Sequence, residues 1–185
     1  GSGSKDDRLD ALMAAGQSYK VMGKIEAASK AFDQLSLEAV SPDVKAEALF
    51  ESGLMKRRLR QWNNGEKALK EAGETFQSPE RKEEALYELA MLFFEKGTFI
   101  RASREFENVI TSYPNGKFVS HAAFYLGRCT IFHKKYDKAV EQFLAHQSTY
   151  PEYSRGDLLL FYLAEAYRLQ GDADRSRSTL VELVS

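Results

Sequence analysis

The 185-residue chain is poor in residues that crosslink or punctuate small folds: one cysteine, four prolines, one tryptophan and three histidines. A single cysteine excludes an internal disulfide framework and leaves the redox compartment open. His121, His133 and His146 stand 12 and 13 residues apart, spacings that do not share a helix face, so no metal or cofactor is expected. Neither charge is in excess: Lys plus Arg is 26, Asp plus Glu is 27, and the formal net charge is −1. That excludes the basic footprint of a nucleic-acid binder and a polybasic membrane signal. No apolar run reaches the ~20 residues of a membrane-spanning helix, so no direct insertion is expected. No window sustains the alternation of a strand, and without strands there is no strand-fed, Gly-rich phosphate loop. What is present, 43% hydrophobic and 29% charged residues, is ordinary for a globular protein.

The scarce prolines are informative through their spacing. They fall at Pro42, Pro79, Pro114 and Pro151, and units started at Leu9, Ala46, Glu83, Ser120 and Asp157 repeat every 37 residues. The eighth position of a unit is always small: Gly16, Gly53, Ala90, Gly127, Ala164. The twentieth is small too, whereas the twenty-fourth is always large and apolar: Phe32, Leu69, Phe106, Phe143, Leu180. Small residues opposite large ones at helical spacing build a close-packed helix pair. Gly23, Gly97 and Gly171 share the fifteenth position, where a first helix would end in a glycine turn. Ser41-Pro42-Asp43 and Ser78-Pro79-Glu80 read as an N-cap, a first-turn proline and an early acid. The pattern predicts an all-α chain of ten helices in five hairpins.

These positions resemble the tetratricopeptide repeat (TPR) family over residues 5–185. Unit one supplies Leu12, Ala15-Gly16, Tyr19, Ala28 and Phe32, and unit four supplies Leu126-Gly127, Ala139, Phe143 and Pro151. The resemblance implies a right-handed α-solenoid of about five hairpins in a single array. Residues 1–4, Gly-Ser-Gly-Ser, read as a cloning remnant, and the array is expected to come from a longer protein. The closing Tyr113-Pro114 and Tyr150-Pro151, the stretch "AAFYLGRC" and "YDKAVEQF" are similar to repeats of bacterial envelope proteins, among them assembly lipoproteins and the Tol–Pal-associated periplasmic protein. That narrower likeness implies a periplasmic assembly scaffold.

Cys129 and His133 lie four residues apart, as a nucleophile and its base could on one helix face. The register reads them otherwise. Cys129 corresponds to Ser18, Met55, Leu92 and Ala166, a packing series; His133 corresponds to Met22, Leu59, Lys96 and Gln170. Both are expected to be structural, His146 is expected to be a core-edge histidine with a hydrogen-bond partner, and no catalytic role is expected. In the family, first helices line a concave groove, and the register then assigns Phe50, Leu54, Arg57, Tyr87, Met91, Phe94, Phe124, Arg128, Ile131, Phe161, Glu165 and Arg168 to it. An aromatic column with apolar neighbours and charged ends implies a protein or peptide partner with apolar anchors. The family's clamp for acidic C-termini is excluded, because Met13, Gln17, Glu84 and Glu88 replace its polar and basic residues. The alternative is a structural spacer or oligomeriser acting through its terminal helices, since the last helix ends in Leu180, Val181, Leu183 and Val184 and solenoid ends ordinarily need polar caps.

Overall fold

The computed structural model describes residues 2–184, with residues 2–5 described by backbone alone. Gly1, the first of the residues read above as a cloning remnant, and Ser185 lie outside the described residues. The described residues form ten α-helices and no strand: α1 (Ser2–Val21), α2 (Ile25–Glu38), α3 (Pro42–Arg58), α4 (Trp62–Thr75), α5 (Pro79–Glu95), α6 (Phe99–Ser112), α7 (Val119–Phe132), α8 (Tyr136–Thr149), α9 (Gly156–Gln170) and α10 (Ala173–Leu183). They divide into two compact units, residues 1–96 with α1–α5 and residues 97–185 with α6–α10.

Helix ends follow the expected punctuation. Pro42 and Pro79 begin α3 and α5, where a missing N–H costs no helical bond. The Ser78 hydroxyl accepts from the Arg81 N–H at 3.3 Å, a true side-chain cap, whereas Ser41 caps by position only. Gly23, Gly97 and Gly171 all take positive φ, the left-handed conformation that closes a helix. At the same register position the second and fourth units place Arg60 and Lys134, also at positive φ. Without glycine, the turn keeps its shape at the expense of local strain.

Inside the hairpins, the small eighth position meets the large twenty-fourth. A Cβ on Gly16 would stand 2.6 Å from the Phe32 ring, and one on Gly127 would stand 2.6 Å from the Phe143 ring. Glycine is therefore required there by volume, not by backbone angle. In the first unit, Ala28, Phe32 and Met55 form a sealed cluster with Met13, Ile25 and Leu54 packed against it. In the second, Phe124 is fully buried among Tyr125, Phe143, His146, Tyr153 and Tyr162, with ring centroids 5.3–6.5 Å away.

Candidate functional site

In the first unit the face made by α1, α3 and α5 is tied by ion pairs between successive first helices. Lys20 Nζ donates to Glu51 Oε1 at 2.5 Å, and Arg57 bonds Glu88 and approaches Glu95 at 3.4 Å. The Lys20–Glu51 and Arg57–Glu88 pairs each join the twelfth position of one unit to the sixth of the next, 31 residues on, so the same contact recurs with the 37-residue period. Arg81 reaches back to Glu47 at 2.5 Å and bonds Glu84. Its guanidinium also lies 4.5 Å over the Phe50 ring and 4.8 Å over the Phe76 ring. Burial raises the Glu88 carboxyl above its ordinary value, and the Arg57 charge pulls it back. Arg57 is thus a half-buried strut between α3 and α5, not a charge at the rim.

The expected aromatic column is mostly core. Phe50, Tyr87 and Phe124 are buried, and of the fifth-position aromatics only Phe161, at 47%, stands open. The reason is packing against the second helix of the hairpin, the segment that follows it and the next first helix: Phe50 is wedged under Arg81 and against Phe76, and Phe124 is enclosed by five rings. Leu54, Met91, Phe94 and Ile131 are half-buried. In the second unit Arg128 lays its guanidinium 4.3 Å over Tyr162 and 5.1 Å over Tyr125, so it too serves as a strut from α7 to α9. Glu165 and Arg168 pair with each other at 2.6 and 2.8 Å on the exposed side of α9.

The open apolar concavity of the first unit lies elsewhere, at the N-terminal ends of α1 and α3. A cleft of about 450 Å³ is lined by Asp6, Leu9, Asp10, Met13, Val40, Ser41 and Val44. Met13 is the fifth-position residue of its unit, and Asp10 is the second. Leu9, Val40 and Val44 were not expected here. The signal for two of them was legible: where Val40 and Val44 stand, the second unit has Gln77 and Arg81, and the fourth has Pro151 and Arg155.

Cys129 is fully buried, and burial pushes its thiol up to about 12. It is a packing residue, as its register neighbours suggested. His133 caps the end of α7. The buried His146 ring shares a hydrogen bond at 2.9 Å between Nε2 and the Ser120 carbonyl, the partner expected for a core-edge histidine. No cluster of three or more His, Cys, Asp or Glu side chains among the described residues could hold a metal. No helix among them is long and apolar enough to cross a membrane.

Comparison with known proteins fits this geometry. Residues 159–185 match the tetratricopeptide repeat family model. No curated protein matches the chain in sequence. Among solved structures, MamA superposes with a TM-score of 0.76 at 18% identity, over 97% of this chain and 91% of that one. A putative kinesin light chain of nearly identical TPR-like repeats, from Podosopora anserina, gives 0.74 at 16% identity over 95% and 93%. YrrB, described as a TPR protein with an unusual peptide-binding site, gives 0.67 at 14% identity over 91% and 81%. The fold is an all-α solenoid built of TPR-type helical hairpins.

Proposed function

We propose that the protein is a non-catalytic scaffold that holds an extended or helical segment of a partner protein on its first helices. The single observation that carries this reading is the apolar cleft of about 450 Å³ between α1 and α3, edged by Asp6 and Asp10. An apolar cleft with a few oriented polar groups is the usual form of a recognition site. It suits a segment with an apolar anchor and a basic neighbour. Half-buried Leu54, Met91, Phe94 and Ile131 and the exposed Phe161 supply further apolar contact on their own units. The peptide-binding site named for YrrB supports the reading by analogy of fold. Similarity to bacterial envelope repeats adds a periplasmic setting, which fractionation of the producing cell would test.

An arrayed library of 12-residue peptides of varied sequence tests the site. Peptides with a large apolar residue next to Lys or Arg are expected to bind. Met13→Asp should lower their affinity about tenfold or more, the effect of losing an interface anchor, while circular dichroism stays unchanged. Equal binding by the wild type and Met13→Asp would overturn the assignment. Phe124→Glu is not a usable control, because it places a charge in a sealed aromatic core.

A further inference from the structure

One edge of the second unit gathers the start of α6, the turn from α7 to α8 and the end of α9. The Phe99 and Phe132 rings stack there, 3.8 Å apart and 2° from parallel, which joins α6 to α7. Gln170 Nε2 donates to Asp137 Oδ1 at 2.6 Å, which joins α9 to α8. The other repeats show what the fold itself asks of this edge. The eighteenth position, second in each second helix, is Glu26, Asn63, Asp137 and Asp174 in four units and Ile100 in the third. Ile100 is 73% exposed, and Phe132, stacked beside it on Phe99, is 51% exposed. An apolar side chain thus stands in the open where every other unit is polar, next to a half-open aromatic pair.

The cations of the edge follow the same logic. Lys134, Lys135 and Lys138 are exposed, and none of them forms an ion pair among the described residues. Lys134 also holds φ 58°, at the position where three units use glycine. A side chain in that conformation costs the fold stability, and this one returns no contact to it. The three lysines stand around a hollow of about 490 Å³ walled by Tyr136 and Leu169. The one carboxylate in the hollow, Asp137, is engaged by Gln170.

We propose that this edge docks an acidic segment of a partner protein. One large apolar side chain of the segment lies on Ile100 and Phe132, and carboxylates on either side of it reach Lys134, Lys135 and Lys138. Charge complementarity names the occupant: three cations without an internal partner call for anionic groups, and the open apolar pair calls for a side chain that a bare phosphate does not offer. The hollow is concave, which suits a peptide better than the flat surface of a bilayer. The cleft between α1 and α3 lies in the other unit and carries the opposite charge, so the two sites are tested independently.

The test uses the whole chain and 12-residue peptides that carry two to four Glu around a single Leu, Phe or Trp, read by fluorescence anisotropy. A subset should bind, with affinity falling as salt is raised. Ile100→Asp puts an acid in the first turn of α6, as Glu26, Asp137 and Asp174 do in theirs, and should leave the fold intact while weakening binding about tenfold or more. Lys134→Gly should weaken it about fivefold, the scale of one exposed ion pair, while its urea midpoint rises; a loss of binding with a gain of stability separates the site from the fold. Met13→Asp should bind these peptides as the wild type does. A library in which no peptide binds would overturn the proposal. So would wild-type affinity in the Ile100→Asp/Lys134→Gly double variant. Binding to vesicles of phosphatidylserine and phosphatidylcholine, lost in that double variant and with no peptide bound, would make the occupant a membrane surface and overturn it as well.

Discussion

Arg60 and Lys134 sit at φ 57° and 58°, where the other three units use glycine. A side chain in the left-handed region costs roughly 1–2 kcal/mol, part of which glycine returns through the freedom of its unfolded chain. Arg60→Gly and Lys134→Gly are therefore each expected to stabilise the protein by about 1 kcal/mol, read as a higher urea midpoint with an unchanged slope. Burial that raises the Cys129 thiol to about 12 leaves almost no thiolate at pH 8. Iodoacetamide should leave the native protein unmodified at that pH and label it fully in denaturant. Fast labelling of the folded chain would show that the thiol is accessible and reactive after all. The turn glycines and the packing role of Cys129 were both readable from the register, because five copies of one position report what that position tolerates. The two strained turns were not, since Arg and Lys carry no local sign of positive φ.

Among the elements, the hairpin of α7 and α8 depends on Gly127, over which the Phe143 ring closes. Gly127→Ala should gain up to about 1 kcal/mol of helix propensity and lose about 1–3 kcal/mol to overpacking. The expected net result is a lower melting temperature. The same hairpin buries His146 and half-buries His121 against the segment that follows it. His146 lies 4.6 Å and His121 5.2 Å from the Tyr153 ring, ring to ring, and Tyr150 and Phe124 flank His146. Burial lowers both histidines from the ordinary 6.5; the Arg155 charge lowers His121 further, and the Ser120 carbonyl partly restores His146. The fold thus disfavours the protonated ring, while the unfolded chain takes up a proton near 6.5. Stability should be level above that pH and fall as pH drops below it through the lowered folded values. Urea midpoints at pH 7.5 and 5.0 test this, and the His121→Gln/His146→Gln variant should lose much of the difference. An unchanged pH dependence in that variant would assign the acid sensitivity to carboxylates instead.

For the molecule as a whole, stability in a solenoid is close to a sum of units and their nearest-neighbour contacts. Helices packed on one side only should therefore open first. In dilute solution the amides of α1 and α10, where Ala11, Ser18, Leu180 and Val184 are exposed, are expected to exchange faster than those of α3 in the first unit and α7 in the second. Hydrogen exchange followed by mass spectrometry measures this, and uniform protection within either unit would refute it.

The sequence alone determined the period, the small and large positions, the glycine turns and hence the fold of stacked helical hairpins, because each of these is a local volume or dihedral demand repeated every 37 residues. It also settled that Cys129 and His146 pack. Only the tertiary structure decided which side of a first helix is open. Register places Phe50, Tyr87 and Phe124 on the first-helix face, but exposure there depends on how closely neighbouring first helices approach. Arg81 of α5 lies over the Phe50 ring, and Arg57 and Arg128 bridge α3 to α5 and α7 to α9 through Glu88 and Tyr162. The open cleft forms instead at Leu9, Met13, Val40 and Val44, from residues up to 35 positions apart that no single helical pattern joins.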